Sequence, residues 1–342
     1  MEGEFTNIIK VWVSVFASLS YCYLIARRIP KGKLRLLSLI PNFCLFFIVP
    51  LKFSSFHLRG FTALFLAWLA NFKLLLFAFG QGPLSLDPPM PLIPFIFVAS
   101  LPIKTKNQSP TPIDSSKDNP SPLSTLMNYA IKVILLAVVI RSYDYEQYFH
   151  PRILGFLYCC HIYFCVEITL ATVAYMARLI LGLELEPTFK EPYLSTSLQD
   201  FWSRRWNLMV PKILHPTVYE PTRCLATHLL GNESESVPRI LAILNTFLVS
   251  GLMHELLFFY IGCWHPTWKT MFYFVLHGSC LAAEIAAKKA LANRWQLHPA
   301  VSCLLVNGFL VVTVSWLLLS EFVRYLLVTH GISEFKALVG FI

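Results

Sequence analysis

Charge is scarce in this chain. Of 342 residues, 14% are Asp, Glu, Lys or Arg and 56% are hydrophobic, whereas a soluble domain carries about a quarter charged residues. A soluble globular protein is therefore excluded. The apolar runs approach the roughly 20 residues that cross a bilayer as helices, and the ten-residue alternation of a membrane barrel is missing. The composition gives an all-α polytopic membrane protein. Metal-ligand spacing is also lacking. Nine cysteines are present, but none forms a Cys-x-x-Cys pair or a Cys/His ligand pattern, which argues against zinc and against a disulfide framework. Most lie in apolar runs, including Cys22, Cys44, Cys159, Cys160, Cys165, Cys280 and Cys303, and read as small hydrophobes. With no positioned base evident beside it, Cys159-Cys160 reads against a thioester-forming nucleophile. The net charge of +9 comes from Lys and Arg between apolar runs, the pattern of loops beside anionic lipid and not of a nucleic-acid surface. No internal repeat suggests the paired halves of a transporter.

Eight spans are expected, over about residues 8–26, 34–49, 61–79, 123–140, 153–181, 239–262, 268–287 and 299–320, the second broken by Pro41. Arg27, Arg28, Lys31, Lys33 and Arg35 follow the first apolar run, which reads as a signal anchor with a translocated N-terminus and a cytosolic basic turn. The count then puts all four basic loops on the cytosolic side. Between about 80 and 122 the chain is Pro-rich, and proline breaks helices. Within that stretch 92–101 is too short to cross alone and reads as re-entrant or interfacial, and 104–119 as a flexible cytosolic loop. Asn107 and Asn232 match the glycosylation pattern on the cytosolic side, so neither is expected to carry glycan, and a glycan at Asn232 would overturn this orientation. The tail after Glu321 is apolar enough for a further half or whole span. The chain reads as one membrane-embedded domain, 1–342, with a cytosolic motif loop over about 182–238.

Two stretches carry chemistry. In Val249 to Phe259, His254 and Glu255 interrupt a long apolar run, at a cost of a few kcal/mol each by roughly the insertion scales. At about 100° per residue His254 shares a face with Phe247, Ser250, Gly251, Phe258 and Ile261, with Glu255 about a quarter-turn away. That face suits close helix packing or the wall of a chamber for an oily substrate. A core histidine bonded to a neighbouring helix is the alternative. Glu167, inside the fifth span, reads as an interhelical partner.

The second stretch runs from Ser197 to Pro211. Thr196-x-x-Gln199 and Ser197-x-x-Asp200 resemble capping boxes, and Pro211 closes the run, so a helix of about four turns is expected. Its apolar face would hold Leu198, Phe201, Trp202, Trp206, Leu208 and Met209, as in a helix lying at a membrane interface. Arg205 falls on that face against the pattern. It either snorkels or stacks on Trp202, or binds phosphate at a cytosolic mouth with Arg204, Lys212 and Arg223.

A loop motif ending in Trp206-Asn207, paired with an intramembrane Ser250-Gly251-x-x-His254-Glu255, resembles the membrane-bound O-acyltransferase superfamily. More narrowly, Phe201 to Leu208 looks like the plant wax synthases, the long-chain-alcohol O-fatty-acyltransferases. The animal sterol and diacylglycerol enzymes carry an acidic residue and a second tryptophan where this chain has Arg204 and Arg205. The resemblance implies an intramembrane reaction chamber in the endoplasmic reticulum, with acyl transfer from coenzyme A to a lipid hydroxyl. His254 and Asn207 would be catalytic.

The residue types agree with that chemistry. A neutral imidazole can take the proton of an attacking alcohol, a contribution of roughly 10² to 10⁴ in rate, and an amide such as Asn207 can donate to the oxyanion or orient His254. Ser250, Trp206, Arg204 and Arg205 would line substrate. Glu255 would bind the hydroxyl acceptor or pair with a cation, and His277, Glu284 and Asn307 would line the chamber or make helix contacts. No cofactor or metal is expected. The partners are acyl-CoA as co-substrate, a long-chain fatty alcohol or another lipid alcohol, and membrane lipid, with a homo-oligomer left open. A sterol or diacylglycerol acceptor, and a transporter or lipid scaffold, are the competing readings.

Overall fold

The computed structural model of the chain describes residues 2–103, 122–182, 187–231, 236–262, 265–291 and 297–319. Asn107, Asn232, the 104–119 stretch and the tail after Glu321 lie outside them. In chain order the helices are α1 (Glu2–Leu24), α2 (Lys33–Ser38), α3 (Ile40–Ile48), α4 (Phe56–Thr62), α5 (Asn71–Ala78), α6 (Leu92–Ser100), α7 (Pro122–Ser142), α8 (Pro151–Leu181), α9 (Leu198–Asp200), α10 (Met209–Leu214), α11 (Glu220–Leu230), α12 (Ser236–Gly262), α13 (Lys269–Ala290) and α14 (Pro299–Thr313). The described residues contain no strand.

Seven helical stretches among the described residues are long and apolar enough to cross a membrane: Gly3–Arg28, Phe56–Ala78, Leu126–Tyr148, Pro151–Leu181, Ser236–Gly262, Lys269–Ala290 and Pro299–Leu318. They match seven of the eight expected spans. The stretch 34–49 is instead divided into α2 and α3, with Pro41 in the first turn of α3. A first-turn proline forfeits no helical hydrogen bond, so it starts a helix there as well as it stops one. The apolar part, Ile40–Lys52, rises only about 20 Å, short of the ~30 Å hydrocarbon layer.

The chain folds as two compact units, Ile103–Thr188 and the remainder. In the smaller unit α7 and α8 form a hairpin joined by a 3₁₀ turn, Tyr143–Tyr148. Lys132 Nζ donates to Glu167 Oε1 across the pair, both side chains nearly inaccessible. Glu167 thus has an interhelical partner, as its position suggested. Outward faces carry Leu126, Ile134, Leu179 and Ile180, apolar side chains that hydrocarbon solvates without penalty.

In the larger unit the most enclosed span is Phe56–Ala78, 72% of its apolar window buried, against 39% or less for the six others. Its middle, Ala63–Ala70, winds as π-helix, and every residue but Leu64 is buried. Lys73 on its last part is fully buried and donates to the carbonyls of Val98 and Leu101, each at 2.6 Å. Those acceptors are at the C-terminal end of α6, where helix carbonyls lack partners and carry partial negative charge. The buried ammonium and the open helix end satisfy one another. Helix α6, the expected short segment, packs against α1 and the π-wound stretch.

The basic turn supplies a second buried cation. Arg35 gives four hydrogen bonds to the carbonyls of Arg27, Ile29 and Phe77. Burial, with Arg27 close by, lowers its pKa below the ordinary guanidinium range.

The closest helix pairing is α12 on α13. A Cβ at Gly251 would lie 2.8 Å from Met271 Sδ and 3.3 Å from its Cα, and one at Gly278 2.8 Å from Phe247 Cβ. The two glycines let these backbones approach, the role small residues play between membrane helices.

Candidate active site

Helix α12 presents Leu241, Leu248, Leu252 and Phe259 outward and buries Phe247, Ser250, Gly251 and Glu255. His254 is on the protein-facing side. Its Nδ1 is 2.7 Å from the Ser250 carbonyl oxygen, and because a carbonyl only accepts, Nδ1 carries the hydrogen. In the neutral ring the unprotonated lone pair is then on Nε2. The ring is held between two aromatic side chains: Trp68 from the π-wound stretch meets it edge-on at 4.8 Å, and Phe274 of α13 packs at 4.3 Å, inclined by 32°.

Glu255 faces elsewhere. Its Oε1 accepts the Met271 amide at 3.0 Å, in the first turn of α13, where amides lack helical partners. Glu255 therefore caps the neighbouring helix, and through it fixes Phe274 relative to His254.

The motif segment departs from the single four-turn helix. Its start is as expected: Ser197 Oγ accepts the Asp200 amide at 3.0 Å. After α9 the chain winds as π-helix through Phe201–Arg205. Trp206 is extended, and Asn207 takes a left-handed conformation with φ of 38°, one that Asn tolerates better than most residues. Helix α10 then begins, with Pro211 inside its first turn. Pro211 opens the second helix instead of closing the first.

The π winding resolves the position of Arg205. A π turn brings residue i+5 over residue i, as the Trp206 amide donating to the Phe201 carbonyl at 2.9 Å records. Trp206 accordingly stacks on Phe201 at 5.3 Å, and Arg205 Nε donates to Asp200 Oδ2 at 2.6 Å. Arg205 also reaches the carbonyls of Lys190 and Glu191 at 3.4 and 3.3 Å. Its guanidinium holds its own turn together. Arg204 is exposed. Arg223 donates twice to Glu220, which raises its pKa above the ordinary value.

Motif and histidine meet across one ring. Trp202 packs against Phe247 at 5.4 Å and Phe274 at 6.0 Å, and Phe274 covers His254. Asn207 is half-buried at the turn beyond Trp202. No hydrogen bond joins it to His254.

The same region is the part of the chain that matches a known family model, described as the membrane bound O-acyl transferase family, over residues 185–276. Acyl-CoA–sterol O-acyltransferase 1 of Arabidopsis thaliana is 47% identical over 336 residues, covering 98% of this chain and 96% of that protein. The long-chain-alcohol O-fatty-acyltransferase of Simmondsia chinensis is 42% identical over 346 residues, 100% of this chain and 96% of its own length. The probable long-chain-alcohol O-fatty-acyltransferase 1 of Arabidopsis thaliana is 45% identical over 95% of this chain and 93% of its own length. The chain belongs to the membrane-bound O-acyltransferase family. It is an acyltransferase of the plant wax synthase group.

Several residues of this O-acyltransferase acquire roles that helical periodicity alone does not give. Trp68 and Phe274 are ordinary apolar positions by pattern, yet they enclose His254. Glu284 of α13 accepts the Leu198 amide at 2.8 Å and the Gln199 amide at 3.4 Å, so it completes the capping of α9. Asn307 of α14 donates to the Tyr193 carbonyl at 2.9 Å. His277 of α13 is fully buried beside Trp202. These three residues thus hold the motif segment and the turn before it. Among the described residues no group of three or more His, Cys, Asp or Glu gathers as for a metal ion.

Proposed function

We propose that this acyltransferase moves a fatty acyl group from acyl-CoA to the hydroxyl of a long-chain fatty alcohol, giving a wax ester and free CoA, with His254 as general base. The observation that carries the reading is the His254 ring. Its Nδ1–H is committed to the Ser250 carbonyl and its faces to Trp68 and Phe274, so Nε2 is the nitrogen left to take a proton. As the alcohol oxygen bonds to the thioester carbon, its proton passes to Nε2 and the carbonyl oxygen becomes an oxyanion. Asn207, at the end of the motif, is the amide assigned to donate to it. Collapse breaks the carbon–sulfur bond, and the imidazolium returns its proton to the leaving thiolate. A thiol with a pKa of about 8.5 leaves without a strong acid.

Ser250 acts in this reading through its backbone, and Trp206 by stacking behind the turn. Arg204 is the exposed cation for the phosphates of coenzyme A. Arg205 and Glu255 shape the site through their structural contacts. The reaction is assigned to the endoplasmic reticulum membrane, with the motif segment cytosolic and the N-terminus lumenal.

A sterol acceptor is the second reading, supported by the 47% identity to a protein named as a sterol acyltransferase. Membranes from cells expressing the chain, given labelled acyl-CoA with a fatty alcohol and a sterol in competition, separate the two. Wax ester is expected as the main product, and its loss by at least 10²-fold in His254→Ala. Steryl ester forming while wax ester does not would overturn the acceptor, and full turnover by the His254 variant would overturn the mechanism.

A further inference from the structure

The family match ends at residue 276, one position before a second buried histidine. His277 has no accessible surface, and both its ring nitrogens are engaged. The Trp202 indole N–H donates to Nδ1 at 3.4 Å, so Nδ1 is the acceptor nitrogen and Nε2 carries the hydrogen. Nε2–H donates to Thr313 Oγ1 at 2.9 Å. The Thr313 hydroxyl passes its own hydrogen to the Phe309 carbonyl at 2.8 Å. The series indole, imidazole, hydroxyl, carbonyl runs one way, and each member has a single compatible role. Tyr273 and Phe309 pack on the imidazole at 4.1 and 4.9 Å, which keeps it from turning.

What this series holds is a motif side chain that packs on the ring covering His254. Trp202 meets Phe274, and Phe274 packs on the His254 ring. Trp202 is also inside the π turn whose last amide, that of Trp206, positions Asn207. A mere packing histidine would need neither a fixed tautomer nor an indole donor. The two other ties, Glu284 and Asn307, grip the backbone at Leu198, Gln199 and Tyr193, before the π turn. His277 alone among the three holds a side chain within it.

We propose that His277 is a positioning residue for acyl transfer: through the Trp202 indole it fixes the π turn that presents Asn207, and sets it against the Phe274 wall of the His254 site. This rests on the reading of His254 and Asn207 as the reacting residues.

The test uses the full-length chain in membranes, with turnover, KM for acyl-CoA and the amount of folded protein by detergent gel filtration. His277→Ala should lower kcat on the order of 10- to 100-fold, the range that misplaced reacting groups give, with KM for acyl-CoA within about twofold. His277→Gln offers an acceptor and a donor from one side chain and should recover part of the loss. Trp202→Phe removes the N–H and keeps the ring, so it should lower kcat in the same direction. The double variant of Trp202→Phe and His277→Ala should be no worse than His277→Ala alone. If His277→Ala does not accumulate, His277→Gln and Trp202→Phe with their double variant carry the same comparison. Independent, multiplying effects of the two positions, or wild-type turnover in both, while His254→Ala is inactive, would overturn the positioning role alone. An active His254→Ala would instead remove the reading on which it rests.

Discussion

Helix α12 and the segment from Tyr193 to Leu208 deliver the two proposed reacting side chains by opposite means. Over its 27 residues α12 satisfies its own backbone, and His254 is aimed by an intrahelical hydrogen bond and two flanking rings. The motif segment passes through α, π, extended and left-handed backbone within about ten residues. Such a path closes only part of its hydrogen bonding within itself, as in the Trp206 amide on the Phe201 carbonyl. Further partners are borrowed from Glu284, His277 and Asn307 on two other helices, His277 serving the Trp202 indole and the others backbone. The site therefore joins a side chain tied to its own helix and flanked by two rings to a segment held largely from outside, with α13 as the connection: Glu255 of α12 caps α13, and Glu284 of α13 caps α9.

The largest effect that tests this contrast is at Asn207 itself. Its backbone is left-handed, so Asn207→Ala loses the amide and also strains the turn, whereas Asn207→Gly loses only the amide. If the amide donates to the oxyanion, both variants should lose about 10² to 10³ in kcat. Wild-type turnover in Asn207→Gly would reduce the residue to a conformational part, and the borrowed hydrogen bonds would then serve some other group. Next in size is the connection. Gly278→Ala places a methyl 2.8 Å from Phe247 Cβ, an atom too close to its backbone to move aside. Overpacking of that kind costs about 1–3 kcal/mol, and thermal unfolding in detergent should show a lower midpoint. An unchanged midpoint would mean that α12 and α13 are not closely docked.

The same contrast explains what could be read from the residues beforehand. The face of α12 around His254 follows from helical periodicity, because the helix is regular and its lipid-facing leucines mark the other side. The Ser197 cap is likewise local, and was legible for that reason. Helix length beyond it was not, since a wheel at 100° per residue does not describe π winding, and it put Arg205 on an apolar face away from Asp200, the partner it takes in the π turn. Pro41 and Pro211 read as breakers, yet each stands in a first turn, where proline is equally at home. His277, Glu284 and Asn307 were visible as polar residues in apolar spans. Their partners lie 75, 86 and 114 residues away in sequence, and only the tertiary fold pairs them.

The smallest expected effects separate the two adjacent arginines. Arg205 is committed to Asp200 and to two carbonyls of the preceding turn, so it belongs with the borrowed contacts that shape the motif. Arg204 is exposed, the geometry of a cation that meets a phosphate arriving from solvent. Arg205→Ala should therefore lower kcat by several-fold while KM for acyl-CoA stays near wild type. Arg204→Ala should do the reverse, raising KM for acyl-CoA by about twofold to fivefold, as expected for one solvent-screened charge of roughly 0.5–1 kcal/mol. Added salt should raise the wild-type KM and leave the Arg204 variant less affected, because screening removes only an attraction that is present. A raised KM at constant kcat in Arg205→Ala would return that residue to the phosphate and leave the motif segment held by His277, Glu284 and Asn307 without it.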